Sequence, residues 1–408
     1  MTNLPGTALF LCILAVAPVA DGADFRLHPS LAVSEEYTDN LFETTSERTS
    51  AYITRVMPGL GGSYQAAALT GELNYVFDYR YYAQNKHSDE IAHSLSAKGH
   101  LTAVENLMYL DVSDEYQRVS LDATRDVTQE SLFINQVDRN VLTVSPHFAL
   151  RPAERFPVKF GYRFVDTIYF GSAGIDKTDH IAFLNMAYEL SKRFSLTADY
   201  LFTREFADID NFTQHQALGG FRYEYADKSF LFAQAGNTWT RYDSGHSLNS
   251  VAWNAGITHV LDTVTATVAT GVRYNDDPLR NVMKEKFVSG TLEKRFKRGM
   301  SSISPMFSEY VLTKTDILET RKYGATLLGQ YEFAADLNGT FSLTAEKYEQ
   351  PLLDSYTRRI LADSSLSYLV AEQLLASISY MYVGYYSPDI AYDNRHVNRV
   401  IVEIKKTF

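Results

Sequence analysis

From Asp24 to its last residue the chain keeps a period of two, and this repeat constrains its fold more than any other feature. Over 69–83 one face reads Leu69, Gly71, Leu73, Tyr75, Phe77, Tyr79 and Tyr81, while the other carries Glu72, Asn74, Asp78 and Arg80. The split recurs as Phe156, Val158, Phe160, Tyr162 and Phe164 against Lys159, Gly161 and Arg163. It returns in Phe194 to Phe202, in Val264 to Tyr274 and in Tyr323 to Phe333. No stretch of comparable length keeps a 3.6-residue period, so the sequence predicts many strands and little helix.

The connections alternate in length. Short turns lie near 62–65, 105–106, 151–154, 191–193, 226–228, 261–263, 295–299, 335–338 and 371–373. Longer loops, rich in Asp, Asn, Ser and Thr, lie near 39–50, 84–90, 117–138, 170–178, 204–213, 242–248, 275–283, 313–320, 347–357 and 387–395. Nine short and ten long connections predict 20 strands. The number falls to 18 if 229–242, 282–294 and 300–312, where both parities carry apolar residues, do not all form strands. An even strand count with short turns at one end, long loops at the other and an apolar outer face describes an all-β, antiparallel, up-and-down transmembrane β-barrel. Closure satisfies every backbone group inside lipid, which an open sheet cannot do. No break in composition marks a second domain.

Export is expected from the N-terminus. Residues 8–20 form a 13-residue, nearly pure apolar run, too short for a spanning helix, which needs about 20 residues. Small residues follow it, so 1–23 reads as a signal peptide and 24–408 as the barrel, although the first eight residues contain no Lys or Arg. The single Cys12 would leave with the leader, and Leu9, Phe10 and Leu11 before it do not suit a lipid-modified cysteine. The 28 Tyr and 24 Phe against 2 Trp, at a mean hydropathy of -0.20, suit a wall with one face in lipid and one in water. The last segment alternates Val400, Val402 and Ile404 with Arg399, Glu403 and Lys405 and ends on Phe408, similar to the terminal signal read by the bacterial barrel-assembly machinery. These features place the chain in the outer membrane of a Gram-negative bacterium, against outer-membrane lipid and lipopolysaccharide. A net charge of -11 opposes nucleic acid as a partner.

No catalytic pattern stands out, and the expectation is a non-enzyme without cofactor or metal. The ten histidines are scattered with no His-Glu-x-x-His, and no Gly-x-Ser-x-Gly occurs. His93 and His100 read as polar or interfacial strand residues flanking one strand. The glycine-rich 59–62 has no following Lys-Ser/Thr and reads as a strand end entering a tight turn. The basic turn of Lys294, Arg295, Lys297 and Arg298 reads as solvated, with anionic head groups as a second reading. The longest loop, Gln117 to Asn140, contains Arg118, Asp122, Arg125, Asp126, Glu130, Asp138 and Arg139 with Leu121 and Phe133. Loops of this length are usually functional or disordered, so it either folds inward as a constriction or stays outside. Strand parity places Glu72, Asp78, Arg80, Lys159, Arg163, Asp199, Arg222, Glu224, Arg399, Glu403 and Lys405 on the inner face as pore-lining candidates. Their mixed signs select neither anions nor cations, and so wide a barrel needs a channel or a plug.

The opening strand and loop contain Pro29, then Glu36, Tyr37, Asp39, Asn40, Leu41 and Phe42. This Glu-x-Tyr-x-Asp-Asn-Leu-Phe pattern resembles the outer-membrane β-barrel proteins of bacterial exopolysaccharide gene clusters, including exosortase-associated ones. The resemblance implies a non-enzymatic conduit or accessory for polysaccharide export, with polysaccharide or periplasmic export proteins as partners. Asp39 and Asn40 also suit a plain turn. Two other readings stand beside it: a general or solute-specific porin, and a barrel sheathing a multihaem cytochrome. The chain has no Cys-x-x-Cys-His of its own, so any haem would belong to the partner.

Overall fold

The computed structural model describes residues 23–128, 131–132, 134–171 and 173–408. The expected leader with Cys12 lies outside them, as do Glu130 and Phe133 of the long loop. Twenty strands follow in chain order: β1 (Asp24–Thr38), β2 (Ala51–Gln65), β3 (Leu69–Tyr82), β4 (Glu90–Val104), β5 (Met108–Ser120), β6 (Gln136–Ala153), β7 (Phe156–Phe170), β8 (Lys177–Glu189), β9 (Phe194–Ala207) and β10 (Phe212–Ala226). The second half comprises β11 (Ser229–Tyr242), β12 (Ser247–Leu261), β13 (Val264–Asp276), β14 (Val282–Phe296), β15 (Gly299–Leu312), β16 (Ile317–Ala334), β17 (Leu337–Gln350), β18 (Ser355–Ala371), β19 (Leu374–Tyr386) and β20 (His396–Thr407). Each strand pairs antiparallel with the next, and β1 pairs with β20, so the sheet closes on itself. Among the described residues, helix is confined to three single turns, none long enough to cross a membrane.

Both ends of the barrel strands, Asp24 and Thr407, lie at the short-turn end, which is the periplasmic end of such barrels. The ten connections at the other end are numbered in chain order: loop 1 (39–50), loop 2 (83–89), loop 3 (121–135), loop 4 (171–176), loop 5 (208–211), loop 6 (243–246), loop 7 (277–281), loop 8 (313–316), loop 9 (351–354) and loop 10 (387–395). Strands of 12 to 18 residues exceed the roughly 9–11 that a tilted strand needs to span the bilayer, so the wall reaches beyond the lipid.

The apolar parity faces outward. Leu27, Leu31 and Val33 on β1 and Val400, Val402 and Ile404 on β20 are exposed on the outer surface, with Phe408 beyond the last strand. The inner parity is polar, as in Ser34, Glu36 and Thr38 of β1, all buried where the mouth is packed.

The structure moves some expected boundaries. The first short turn is not at 62–65: β2 runs through Gln65 and the chain turns at 66–68. The glycines of 59–62 therefore sit within a strand, not at its end, and a side chain at Gly59 would lie 2.6 Å from Ser30 Oγ. A larger residue there would need the Ser30 hydroxyl to turn aside, and the ladder with β1 runs unbroken through all three glycines. The ambiguous segments 229–242, 282–294 and 300–312 all lie in strands, β11, β14 and β15. The longest loop is shorter than its polar run, because β5 and β6 extend into it as far as the Ser120 to Gln136 pair.

Candidate functional site

The site is the lumen and its outer mouth. Eleven charged positions lie on the inner parity, but in two settings. Asp78, Arg80 and Arg399 do not line open water. Asp78 binds Arg55 at 2.6 Å and Arg80 at 2.9 Å, Arg80 reaches Glu90 at 3.4 Å, and Arg399 lies 3.5 Å from Glu36. This ladder sits just under the mouth, where charges removed from water persist because they are paired.

The others lie elsewhere around the wall. Glu72 lines a recess of about 640 Å³ near the periplasmic rim with Arg26, Lys98, His100 and Asp111, and a second of about 360 Å³ with Lys405, His28 and Asn74. Lys159 and Arg163 reach toward the Phe183 ring at 6.0 and 5.5 Å. Arg222 stacks on Phe230 at 3.5 Å, and Asp199 accepts hydrogen bonds from Asn185 and Gln234. Glu224 stands opposite Phe230 in the ladder of β10 and β11, and Glu403 stands between Ser34 of β1 and Ser377 of β19. Both signs therefore run down the bore.

His93 and His100 lie within β4 on opposite faces. His93 faces out and shares a hydrogen bond with the Tyr75 hydroxyl at 2.8 Å, and His100 faces in against Asp111 at 2.6 Å. Among the described residues, no group of three or more His, Cys, Asp or Glu could hold a metal ion.

Loop 3 folds inward across the mouth. Its own turns give it shape: Asp122 accepts from the Thr124 amide and hydroxyl at 2.8 and 2.7 Å, and Asp126 does the same for Thr128 at 2.9 and 2.7 Å. Leu132 packs with Leu41, Ala51, Ile53 and Tyr82 from the β1–β3 side. Arg125 reaches the other side, 4.8 Å over the Tyr348 ring, 5.5 Å over Tyr385 and 3.7 Å from Asp393. Arg359 donates to the Asp126 carbonyl at 3.0 Å, which ties the loop to β18.

The tip of the β13–β14 hairpin enters from a second side. Lys177 on β8, 3% exposed, donates to the Asp276 carboxylate and to the carbonyls of Asp277 and Asn281, at 2.6 and 2.7 Å for the carbonyls. Asn281 donates to Glu205 at 2.7 Å and to the Asp210 carbonyl at 2.6 Å. Burial pushes the Asp277 carboxyl above its ordinary range. Loop 3 and this tip together line a cavity of about 300 Å³ that includes Asp122, Arg125, Asp277 and Arg280.

The motif residues of the first strand and loop hold the seam between first and last strands. Glu36 faces Arg399, and Asp39 accepts the Asn398 backbone and side-chain N–H groups at 2.7 Å each. Asn40 donates to the Thr44 and His396 carbonyls, Leu41 is buried under loop 3, and Phe42 lies against His87. Pro29 and Tyr37 sit within β1, where the Pro29 carbonyl accepts from the Phe408 amide at 2.8 Å. The inward reach of loop 3 and the loop 7 hairpin is the part that sequence reasoning missed or left open. Nothing in the alternating pattern reports which way a polar tip leans.

No family model and no curated protein matches the sequence. In fold the chain resembles outer-membrane receptors of Pseudomonas aeruginosa. The ferric enterobactin receptor PfeA superposes with a TM-score of 0.56 at 8% identity, over 94% of this chain and 80% of that one. The siderophore receptor PirA gives 0.53 at 10% identity over the same shares. A BenF-like porin from Pseudomonas fluorescens gives 0.48 at 10% identity over 94% and 99%. The two receptor likenesses are of fold, and with the closed sheet they define the architecture of an outer-membrane β-barrel.

Proposed function

We propose that the chain is a non-enzymatic, porin-type passage that carries polar solutes through its lumen under a constricted outer mouth. The observation that supports this most directly is loop 3, anchored across the bore from Leu132 on one side to Arg125 on the other. A segment packed inside a polar, mixed-sign wall limits what passes by size, whereas an unobstructed polymer conduit has no use for it. Liposome swelling with neutral sugars of increasing size tests this: entry that falls off sharply with sugar size supports it, and no entry of the smallest sugar contradicts it.

Polysaccharide export is the second reading, and the resemblance of Pro29 and the Glu36 to Phe42 motif favours it. It adds the requirement that both inward segments move aside, and block of sugar entry by an anionic polysaccharide added from the periplasmic side would support it. A cytochrome sheath is disfavoured, because loop 3 and the loop 7 hairpin occupy the end through which an inserted partner would emerge. The partners in this proposal are outer-membrane lipid and lipopolysaccharide around the barrel, the assembly machinery at Phe408 and, in the export reading, polysaccharide or periplasmic export proteins.

A further inference from the structure

Every neighbouring pair of strands is hydrogen-bonded through most of its length, yet β12 and β13 part halfway up. Their ladder runs from Leu261–Val264 at the periplasmic turn to Asn254–Gly271 and stops. Above it, 247–253 of β12 pair only with β11, and 272–276 of β13 pair only with β14. The β4–β5 pair also opens above Leu95–Tyr116, but Arg118 to Glu90 bridges that split. Beside the last ladder pair, Trp253 Nε1 donates to Thr270 Oγ1 at 3.2 Å.

The parting follows from the lean of the hairpin. The β13–β14 tip is held in the mouth by Lys177, by Tyr169 to Asp276 at 2.7 Å and by the Ile175 amide to the Pro278 carbonyl at 2.9 Å. The half-buried Tyr274 side chain lies near Thr238 and Ser250, which face each other on β11 and β12. Farther round the wall the ladder is also interrupted: β14 and β15 lose pairing around Gly290 and Pro305, and β16 bulges at Glu319, opposite Tyr310 and Val311 of β15. An unpaired strand edge is costly wherever lipid or packed protein keeps water from its N–H and C=O groups. Two arrangements therefore compete: the tip latched in the mouth with the wall split, or β12 and β13 zipped to the top with the mouth cleared.

We infer that the β13–β14 hairpin is a gate, latched by Lys177 and hinged at the Asn254–Gly271 pair, whose zipping onto β12 opens the outer mouth. The movement keeps one register, in which Ser250 faces Asn275 and Ala252 faces Arg273. As a gate for solutes it rests on the passage reading, but its movement can be read without conductance.

The test is the double variant Ser250→Cys with Asn275→Cys, in a mature barrel that has no other cysteine once the leader with Cys12 is removed. Oxidative cross-linking is followed by mass in the folded barrel, with the Lys177 latch intact and in a Lys177→Met background. The gate predicts disulfide formation about tenfold faster or more when the latch is cut, with a conductance rise that reductant reverses. Should Lys177→Met not fold, Asn281→Ala severs the tip from Glu205 and Asp210 while leaving the buried ammonium its partners. No disulfide in either background, or equal rates in both, overturns the gate. Latch-dependent cross-linking at unchanged conductance supports the movement and contradicts the passage reading instead.

Discussion

The Asp39 carboxylate receives two hydrogen bonds from Asn398, one from its backbone N–H and one from its side-chain amide, each at 2.7 Å. The two residues are 359 positions apart in sequence, and their contact joins the first strand to the last at the outer end of the seam. Closure is the step that removes the sheet's edges, so this contact and Glu36 to Arg399 stabilise the barrel as a whole.

Replacing Asp39 with Ala removes both bonds to a charged acceptor, and should lower stability by about 1.5–3 kcal/mol. The check is the denaturant midpoint of the folded barrel in detergent or vesicles, read by heat-modifiable mobility. An unchanged midpoint would mean that the seam is held elsewhere.

Ile303 and Ser304 are adjacent on β15 and face opposite ways: Ile303 is exposed on the outer surface, while Ser304 meets Thr291 inside at 3.1 Å. Ile303→Lys places a charge against lipid near mid-wall and should cost about 2–4 kcal/mol, whereas Ser304→Lys should be close to neutral. Unfolding from lipid vesicles compares them, and equal costs would contradict the assigned faces.

The wall was legible in the sequence because parity is a local property. Leu69 to Tyr81 and Phe156 to Phe164 declare their faces residue by residue, and the loop rhythm yields the strand number. The turn lies at 66–68 rather than 62–65 because Gly59, Gly61 and Gly62, which carry the usual marks of a turn, pair in register with Ser30, His28 and Leu27 of β1, and that pairing is visible only across strands. The mouth was hidden for a stronger reason. Arg125 finds Tyr348 and Tyr385, and Lys177 finds Asp276, through contacts between residues about 100 to 260 positions apart, which no periodicity encodes. The pairing of Asp78, Arg80 and Arg399 under the mouth is not written in their parity, since it depends on partners from other strands such as Arg55, Glu90 and Glu36.

The outer loops carry acid-sensitive ties. Hydrogen bonds from Lys314 and Ser244 hold Asp210 of loop 5 below the ordinary carboxylate range, and Arg204 and Asn211 do the same for Asp243 of loop 6. A carboxylate whose pKa is depressed by folding stabilises above its unfolded value, about 3.9, and loses that contribution as pH falls through the lower folded value. Proteolysis of these loops should be constant from pH 8 to about 5 and should accelerate only below about 4. Acceleration between pH 8 and 5 would contradict these ties.

The central claim is that segments folded into the outer mouth constrict an otherwise continuous lumen. Single-channel conductance in a planar bilayer tests it most directly, comparing the native barrel with one in which 122–134 of loop 3 is replaced by a short Gly-Ser turn. The account predicts a small native conductance and a severalfold larger one without the loop, with Arg125→Ala between them. Equal conductance in all three would contradict it.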